Sequence, residues 1–310
     1  MALKTENGFI LIAVLWISLL LSIFALNLST KSRLKGVQVL NIESRLYNNE
    51  ALHSGLSRGY HEYLKYRENR TLLDKREEWE SLTGNTLDLW HPRYEPYMIE
   101  VGDVKVAVRI KNTQGRLNVN QVDVHLLQEV VSLCGASPGV ETTSVTNSIL
   151  DWIDQDDLTR PEGAEKDHYL SLQDPYLPKN SDIENMGELL LIKGITRDIF
   201  FGTEEHPGLV HFFSTQGSNE KMDINSAAPE TFSVLGDLPQ EVVQDIIDKR
   251  TGEKISDLSQ LADIIPHGYM DQLLKYFQVG GTEQMIAIEA YIVLKDGRLG
   301  RSMERIVRSR

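Results

Sequence analysis

The sequence has little cysteine and comparatively few basic residues. Cys134 is the single cysteine in 310 residues, which excludes an intramolecular disulfide and a cysteine-rich zinc site. We predict that Cys134 is a small buried hydrophobe. Lys and Arg number 32 against 45 Asp and Glu, so the formal net charge is −13. Sequence-independent nucleic-acid binding needs a basic surface that displaces counterions from the phosphates. We therefore predict no nucleic-acid partner.

Several motifs that would indicate an enzyme are also missing. The sequence contains no H-E-x-x-H zinc motif, no P-loop and no G-x-G-x-x-G dinucleotide fingerprint. Its eight histidines are scattered without a partner at a spacing typical of zinc ligands. We predict that the protein is not an enzyme.

A long uncharged segment lies near the N-terminus. No charged side chain occurs from Asn7 to Thr30, and residues 9–28 (FILIAVLWISLLLSIFALNL) are almost entirely apolar. A membrane-spanning helix needs roughly 20 such residues. The alternatives are a cleaved secretory signal and a buried core helix. The run is longer than the apolar part of a usual signal and lacks a good small-residue cleavage site after it, so we predict a transmembrane helix over 9–28.

The segment that follows the apolar run has the features of a helix. Residues 29–70 contain no proline, and apolar or aromatic residues recur at helical spacing from Leu40 to Leu64. One helix could therefore run from the membrane into a soluble domain. The alternative is two helices that are broken near Gly55 and Gly59.

Two β-hairpins are predicted on either side of a helical region. In residues 97–111 (YMIEVGDVKVAVRIK), two alternating strands flank the turn at Gly102 and Asp103, and residues 285–307 repeat this pattern around KDGR. About 170 mostly helical residues lie between the hairpins. We predict an α+β fold in which a sheet domain is interrupted by a large all-α insertion, which a loop can accommodate at modest entropic cost.

Acidic residues are concentrated after the predicted helix that ends in ILDWIDQDD (149–157). Between Asp151 and Asp167 there are seven carboxylates and two basic residues. Calcium binds six to eight oxygen ligands, and the sequence makes Asp154, Asp156, Glu165 and Asp167 candidate ligands. The segment is not an EF-hand. A solvated acidic loop that binds no metal is the alternative.

The N-terminal residues resemble a known processing signal. The polar leader MALKTENG is followed by Phe9 and the uncharged span, which resembles the class III signal of type IV pilins and type II secretion pseudopilins. The resemblance implies cleavage after Gly8 by prepilin peptidase and N-methylation of Phe9. Ala13 stands at the fifth position of the resulting chain, where most pilins carry glutamate. Within this superfamily, a missing glutamate is typical of minor pseudopilin K.

Further blocks of sequence resemble the same family. These are GRLNVN (115–120), ILDWID (149–154), GAE (163–165), PYLPKN (175–180), GELLLIKGIT (187–196) and DINSAAPE (223–230). Together they resemble the type II secretion minor pseudopilin K family over nearly the whole chain. The family has a pilin-like long N-terminal helix packed on a small antiparallel sheet, and its large α-helical insertion binds calcium. The resemblance adds Asn180 to the candidate ligands Asp154, Asp156, Glu165 and Asp167.

The resemblance also implies an organisation and a location. Residues 1–8 are the leader, 9–28 the transmembrane part of the helix, 29–115 the first part of the pseudopilin domain, 116–280 the insertion and 281–310 the hairpin that completes the sheet. The protein is then a single-pass protein of the bacterial inner membrane with its soluble part in the periplasm. A bare count of basic residues places Lys31, Arg33 and Lys35 inside instead, and we follow the resemblance.

The resemblance also implies a function and partners. It predicts a minor pseudopilin that caps the tip of the type II secretion pseudopilus and supports the export of folded proteins across the outer membrane. The expected partners are the minor pseudopilins I, J and H, the prepilin peptidase and the inner membrane.

Two other functions stay open from the sequence. Residues 223–264 resemble the helix-hairpin-helix of competence DNA receptors, which suggests a membrane-anchored DNA-binding receptor. The hairpin LGDLP (235–239) lacks the second glycine and places Asp237 where a phosphate would be repelled, so we favour helix-pair scaffolding here and at KGIT (193–196). A membrane-tethered calcium-dependent hydrolase is the third hypothesis.

Overall fold

The computed structural model describes residues 6–73, 76–84, 89–280 and 285–308. The helices are α1 (Glu6–Glu68), α2 (Arg70–Leu73), α3 (Arg76–Thr83), α4 (Val124–Leu133), α5 (Val140–Ile153), α6 (Lys166–Leu170), α7 (Arg197–Phe201), α8 (Leu209–Phe212), α9 (Pro229–Val234), α10 (Gln240–Gly252) and α11 (His267–Tyr276). The strands are β1 (Arg93–Val101), β2 (Val104–Asn112), β3 (Leu117–Asn118), β4 (Phe213–Ser214), β5 (Met222–Asp223), β6 (Phe277–Gln278), β7 (Met285–Val293) and β8 (Leu299–Arg308). Short 3-10 helices cover Thr113–Gly115, Met186–Leu191 and Leu258–Leu261.

Helix α1 is continuous over 63 residues, which corresponds to about 95 Å at 1.5 Å per residue. Its segment Ile12–Lys31 is long and apolar enough to cross a membrane, and none of it is buried against the rest of the protein. The prediction of one helix from the apolar run into the soluble part is confirmed, and the alternative of two helices broken near Gly55 and Gly59 is excluded. Both glycines face the sheet: an added Cβ would lie 2.9 Å from Val106 at Gly55 and 2.8 Å from Ile288 at Gly59.

The sheet has four strands in the order β1-β2-β7-β8, and all neighbouring strands are antiparallel. Both predicted hairpins are present, and the pairing of β2 with β7 joins them, with Val108 opposite Ala290. One face of the sheet packs on the C-terminal part of α1. This core contains Ala51, Leu52, Leu56, Tyr63 and Tyr66 from the helix and Val106, Val108, Ile110, Ile286, Ile288, Ala290 and Ile292 from the sheet.

A second, larger core is formed by residues between the two hairpins. It includes side chains from α4, α5 and α7 through α11. Cys134 belongs to it and is buried as predicted, and burial raises the pKa of its thiol to about 12. The helical region is not entirely α, because β3 pairs with β4 and β5 with β6 in parallel. Strands of two residues are too short to show an alternating pattern, so the sequence did not reveal them.

The helical region lies against the first strand of the sheet. The Tyr94 N–H donates a hydrogen bond to the Asn225 carbonyl at 2.9 Å, and the His91 ring lies 2.8 Å from the Arg250 carbonyl through Nε2. The division of the chain into the five ranges given above stays a prediction. Residues 1–5 of the expected leader and residues 281–284 at the expected last boundary lie outside the described residues.

Candidate metal centre

Three carboxylates meet where α5 ends and α6 begins. Asp151 lies in the last turn of α5, Asp154 caps the C-terminus of this helix and Glu165 precedes α6. One oxygen from each of the three lies within 4.8 Å of the others. Asp151 and Glu165 are buried and Asp154 is half-buried. Three acidic groups in such a volume need a positive partner to be ionised together.

Local geometry explains why these residues converge. Asp151 and Asp154 are three residues apart, so they lie on one side of the helix end. The loop from Asp154 to Glu165 leads back to the end of α5 and is held there by hydrogen bonds. The Ser144 hydroxyl donates to the Glu162 carbonyl at 2.8 Å, the Asn147 amide donates to the Pro161 carbonyl at 2.7 Å, and the Lys193 ammonium donates to the Glu162 and Gly163 carbonyls at 3.0 Å each. These hydrogen bonds hold the backbone that carries Glu165.

Asp151 anchors this loop from the side of the helix. Its Oδ2 accepts a hydrogen bond from the Ala164 N–H at 2.9 Å, and its Oδ1 accepts from Arg160 Nη1 at 2.8 Å. A Cβ at position 163 would lie 2.1 Å from Asp151 Oδ2, well inside van der Waals contact. Gly163 is therefore required for the close approach of the loop to the carboxylate.

Arg160 supplies one positive charge to the cluster. Its Nη1 donates both to Asp151 and to Asp154 Oδ2. One guanidinium balances one of the three carboxylates, which leaves an excess of negative charge when all of them are ionised. Burial, followed by the charges of Asp151 and Asp154, raises the pKa of Glu165 to about 7.

Several oxygen atoms at this site have no hydrogen-bond donor. Among the described residues, Asp154 Oδ1 and both carboxylate oxygens of Glu165 are buried and unpartnered, and so is Asn180 Oδ1 beside the acidic loop. Buried polar atoms are ordinarily satisfied, and the exceptions call for an explanation such as a bound ion. Carboxylate and amide oxygens are the ligands that calcium prefers. The residues present therefore fit a calcium ion.

The structure brings together only part of the predicted ligand set. Asp154 and Glu165 are in the cluster, whereas Asp156 and Asp167 are exposed and outside it. Asp156 Oδ1 instead accepts the Leu158 N–H at 2.8 Å. Asn180 donates its side-chain amide to the Asp156 carbonyl at 3.0 Å and to Asp157 Oδ1 at 3.1 Å, so it lies against the acidic loop. The five-residue set stays a prediction.

Asp151 was missing from the predicted ligand set. It was counted among the seven carboxylates of the segment but was not named as a ligand. The signal that could have found it is the spacing of three residues to Asp154, which places both carboxylates on the same side of a helix end.

The two segments that were compared with phosphate-binding hairpins are turns that precede helices. In the hairpin between α9 and α10, Asp237 has a positive φ of 50°, and Gly194 has one of 83° before α7. Two G-x-S-x-G strings, at 55–59 and 135–139, do not form the strand-to-helix turn of a serine hydrolase. The first lies inside α1 and the second joins α4 to α5.

Comparisons with known proteins found one family model and a similar solved structure. The family model for type II secretion system (T2SS), protein K matches residues 109–202, which include the carboxylate cluster. No curated protein sequence matches the chain. A solved structure described as the crystal structure of the GspK-GspI-GspJ complex from the enterotoxigenic Escherichia coli type 2 secretion system is similar at a TM-score of 0.45 and 15% identity, over 81% of this chain and 91% of that chain. Residues 109–202, less than half of the chain, are therefore similar to type II secretion system protein K.

Proposed function

We propose that the protein is a minor pseudopilin that caps the tip of the type II secretion pseudopilus and thereby supports export of folded proteins. The observation that carries this proposal is α1. One unbroken helix presents an exposed apolar segment of membrane length, Ile12–Lys31, and continues until it packs on the four-stranded sheet. The match of residues 109–202 to the protein K family model supports the same function.

Two features support a position at the tip. Ala13 provides no carboxylate that could neutralise the terminal amine of a subunit above it, so the helix does not need such a neighbour. The helical region between the two hairpins is also bulky, with its own core, and would block further stacking of subunits. The minor pseudopilins I, J and H are the proposed neighbours, and the soluble part lies in the periplasm.

Processing of the N-terminus tests the pseudopilin class. The full chain is purified from membranes of cells with and without active prepilin peptidase, and its mass and N-terminal sequence are measured. A chain that begins at methylated Phe9 only when the peptidase is present supports the proposal. A retained Met1 under both conditions, or a cut beyond Leu28, contradicts it. A Gly8→Ala variant should stay uncut, with a Gly36→Ala variant as the matched control.

Co-purification tests the tip position separately. Tagged protein from cells that produce all minor pseudopilins should retain I and J. Retention of the major pseudopilin in large excess, with no I or J, would contradict a tip position even if the N-terminus is processed as expected.

We further propose that a calcium ion binds at the carboxylate cluster. Asp154 and Glu165 provide unpartnered oxygens, Asp151 adds a third buried carboxylate, and Asn180 has a free amide oxygen next to the loop. The bound ion would supply positive charge to a buried acidic cluster and link the end of α5 to the start of α6. Its role is to stabilise the fold, and we propose no chemical step at this site.

Terbium luminescence tests calcium binding directly. Trp152 follows Asp151 and is buried next to the cluster, so excitation of tryptophan should sensitise a terbium ion bound there, and calcium should displace it. Glu165→Gln should weaken binding by about tenfold or more. Glu162→Gln is the matched control, because Glu162 is exposed in the same loop. Equal terbium binding by the Glu165→Gln and Glu162→Gln variants would contradict a metal site at Glu165.

A further inference from the structure

Strand β8 is a long strand at the edge of the sheet. It runs over ten residues, Leu299–Arg308, and pairs with β7 on one side. Within the described part of the chain, no strand pairs with its other side. Alternate N–H and C=O groups of β8 therefore point away from the sheet, which is the arrangement that accepts an added strand.

The opposite edge of the same sheet is closed. Strand β1 contains Pro96, which has no N–H to donate, and its register shifts between Arg93 and Tyr97. Its outer side is covered where the Tyr94 N–H donates to the Asn225 carbonyl. Proline, an irregular register and a covering segment are the usual protections of an edge strand. Strand β8 has no proline, its register against β7 shifts only at its start, between Leu299 and Ser302, and in the described structure no segment covers it.

The end of the chain that carries β8 has a charge opposite to that of the remainder. Residues 295–310 contain six basic and two acidic side chains, so they carry a net charge of +4, while the whole chain carries −13. This segment therefore carries a net positive charge within an acidic protein. This edge attracts acidic partners that the rest of the surface repels.

Three arginines of β8 are available for contacts with a partner. Arg301, Arg305 and Arg308 are exposed, and within the described residues none of them lies in an ion pair. Arg305 lies with its guanidinium 4.9 Å from the ring centre of Tyr60, so it is held beside α1. Ile306 is 48% exposed on the other face of the strand. The edge thus combines open backbone groups with cations and an apolar side chain.

We propose that β8 binds an extended acidic segment of a partner polypeptide by strand addition. Backbone hydrogen bonds along the open edge provide the attachment. Carboxylates that alternate along the added strand face Arg305 on one side of the sheet or Arg308 on the other, and Arg301 lies nearer the start of β8. Edge charges that only prevent aggregation are most often lysines, whereas arginine is enriched at interfaces and binds carboxylates through two parallel hydrogen bonds.

The test uses the full chain in detergent micelles and three labelled synthetic peptides of ten residues. The first alternates glutamate and valine, the second alternates lysine and valine, and the third has the charge of the first but proline in place of alternate valines. The first peptide should bind with increased anisotropy and slow hydrogen exchange at residues 299–308. The lysine and proline peptides should bind at least about tenfold more weakly than the first peptide. The lysine peptide has the wrong charge, and the proline peptide lacks N–H donors.

Charge variants separate this edge from the rest of the surface. Arg301→Glu with Arg308→Glu should abolish binding of the acidic peptide. Arg67→Glu with Arg197→Glu changes two other exposed arginines and should leave it unchanged. If the variant with both glutamates does not fold, Arg301→Gln with Arg308→Gln replaces it. We then expect the affinity for the acidic peptide to fall about tenfold.

Three results would overturn the proposal. They are the absence of binding by the acidic peptide, equal binding by the proline peptide, and protection from exchange that lies outside β8. None of these measurements depends on peptidase processing or on calcium, so they do not decide the proposed function.

Discussion

The guanidinium of Arg250 and the carboxylate of Glu95 form an ion pair with two contacts, 2.5 Å from Nη2 to Oε1 and 3.0 Å from Nε to Oε2. The Arg250 side chain is fully buried, although it belongs to α10 and Glu95 belongs to β1. Its Nη1 also donates to the carbonyls of Ile224 and Ala227, at 2.7 and 2.9 Å. This one side chain therefore links the helical region to the first strand of the sheet.

Removal of the carboxylate from this pair should destabilise the protein. Glu95→Gln leaves a buried guanidinium without its counter-charge, and we expect a loss of about 3 kcal/mol in the free energy of unfolding. Denaturant unfolding of the purified chain measures it. Glu100→Gln, at an exposed position of the same strand, is the control and should change stability by less than about 0.5 kcal/mol. Equal effects of both substitutions would show that the Arg250 pair has no special importance.

A second buried ion pair lies within the sheet. The Lys111 ammonium on β2 is 2.5 Å from Glu289 Oε1 on β7, and both side chains are buried. Glu289→Leu should cost about 3 kcal/mol because it leaves the ammonium unpaired. The double variant Lys111→Met with Glu289→Leu should recover part of that loss, since the ammonium is then gone and only Arg109, 4.0 Å from Glu289 Oε2, still loses a carboxylate. A double variant as unstable as the single one would contradict this account.

The same pair predicts a dependence of stability on pH. Burial opposes ionisation of Glu289, but the Lys111 ammonium lowers the pKa of its carboxyl below the usual value. The unfolded chain, with a pKa of about 4.3, then binds a proton more readily than the folded chain. This contribution is complete above about pH 4.3 and is lost as the pH falls through the lower, folded value. Melting temperatures measured from pH 6 to pH 3 should fall less steeply in the double variant.

The two glycines of α1 that face the sheet should not tolerate alanine. At Gly55 and Gly59 an added Cβ would come within 2.9 Å of a side chain from the sheet, so the helix and the sheet would have to separate. We expect a loss of about 1 to 3 kcal/mol for either substitution, although alanine favours a helix. Ser57→Ala, exposed on the same helix, should be neutral or slightly stabilising. Higher melting temperatures for Gly55→Ala would contradict the close packing.

Gly163 should be needed for the acidic loop. Gly163→Ala places a Cβ against Asp151 Oδ2, so the loop must move away from Asp151 and carry Glu165 with it. We expect lower stability and weaker terbium luminescence. Gly252→Ala is the control, because nothing lies within 4 Å of a Cβ there. Unchanged terbium binding by Gly163→Ala would show that the loop geometry does not set the site.

The fold could be predicted to a considerable extent because its patterns are local. The uncharged run, the absence of proline after it and the alternating hairpins each point to one element, and α1, β1, β2, β7 and β8 follow these patterns. The short strands β3 through β6 could not be predicted, since two residues carry no period. The glycines at 55 and 59 were ambiguous, because the sequence does not distinguish a helix break from a close approach to a sheet.

The candidate site was less predictable than the fold. The crowding of acids indicated the segment that contains the cluster, and Asp154 and Glu165 are in the cluster. Asp151 was missed and Asp156 and Asp167 lie outside, because a loop directs side chains according to its own hydrogen bonds. For example, the Asp156 carboxylate accepts a hydrogen bond from the Leu158 N–H and does not join the cluster. The path of this loop also brings the Arg160 guanidinium to Asp151 and Asp154, where it acts as a counter-charge.

By itself, the sequence determined which segments are apolar, helical or extended and where acidic and basic residues are concentrated, since these properties follow from local composition and period. Only the tertiary structure decided which distant residues meet. Arg250 pairs with Glu95 across 155 positions, and Lys111 pairs with Glu289 because β2 lies beside β7. Such contacts arise when buried charges must find partners in a packed interior, and no local pattern of the chain specifies which partner is within reach.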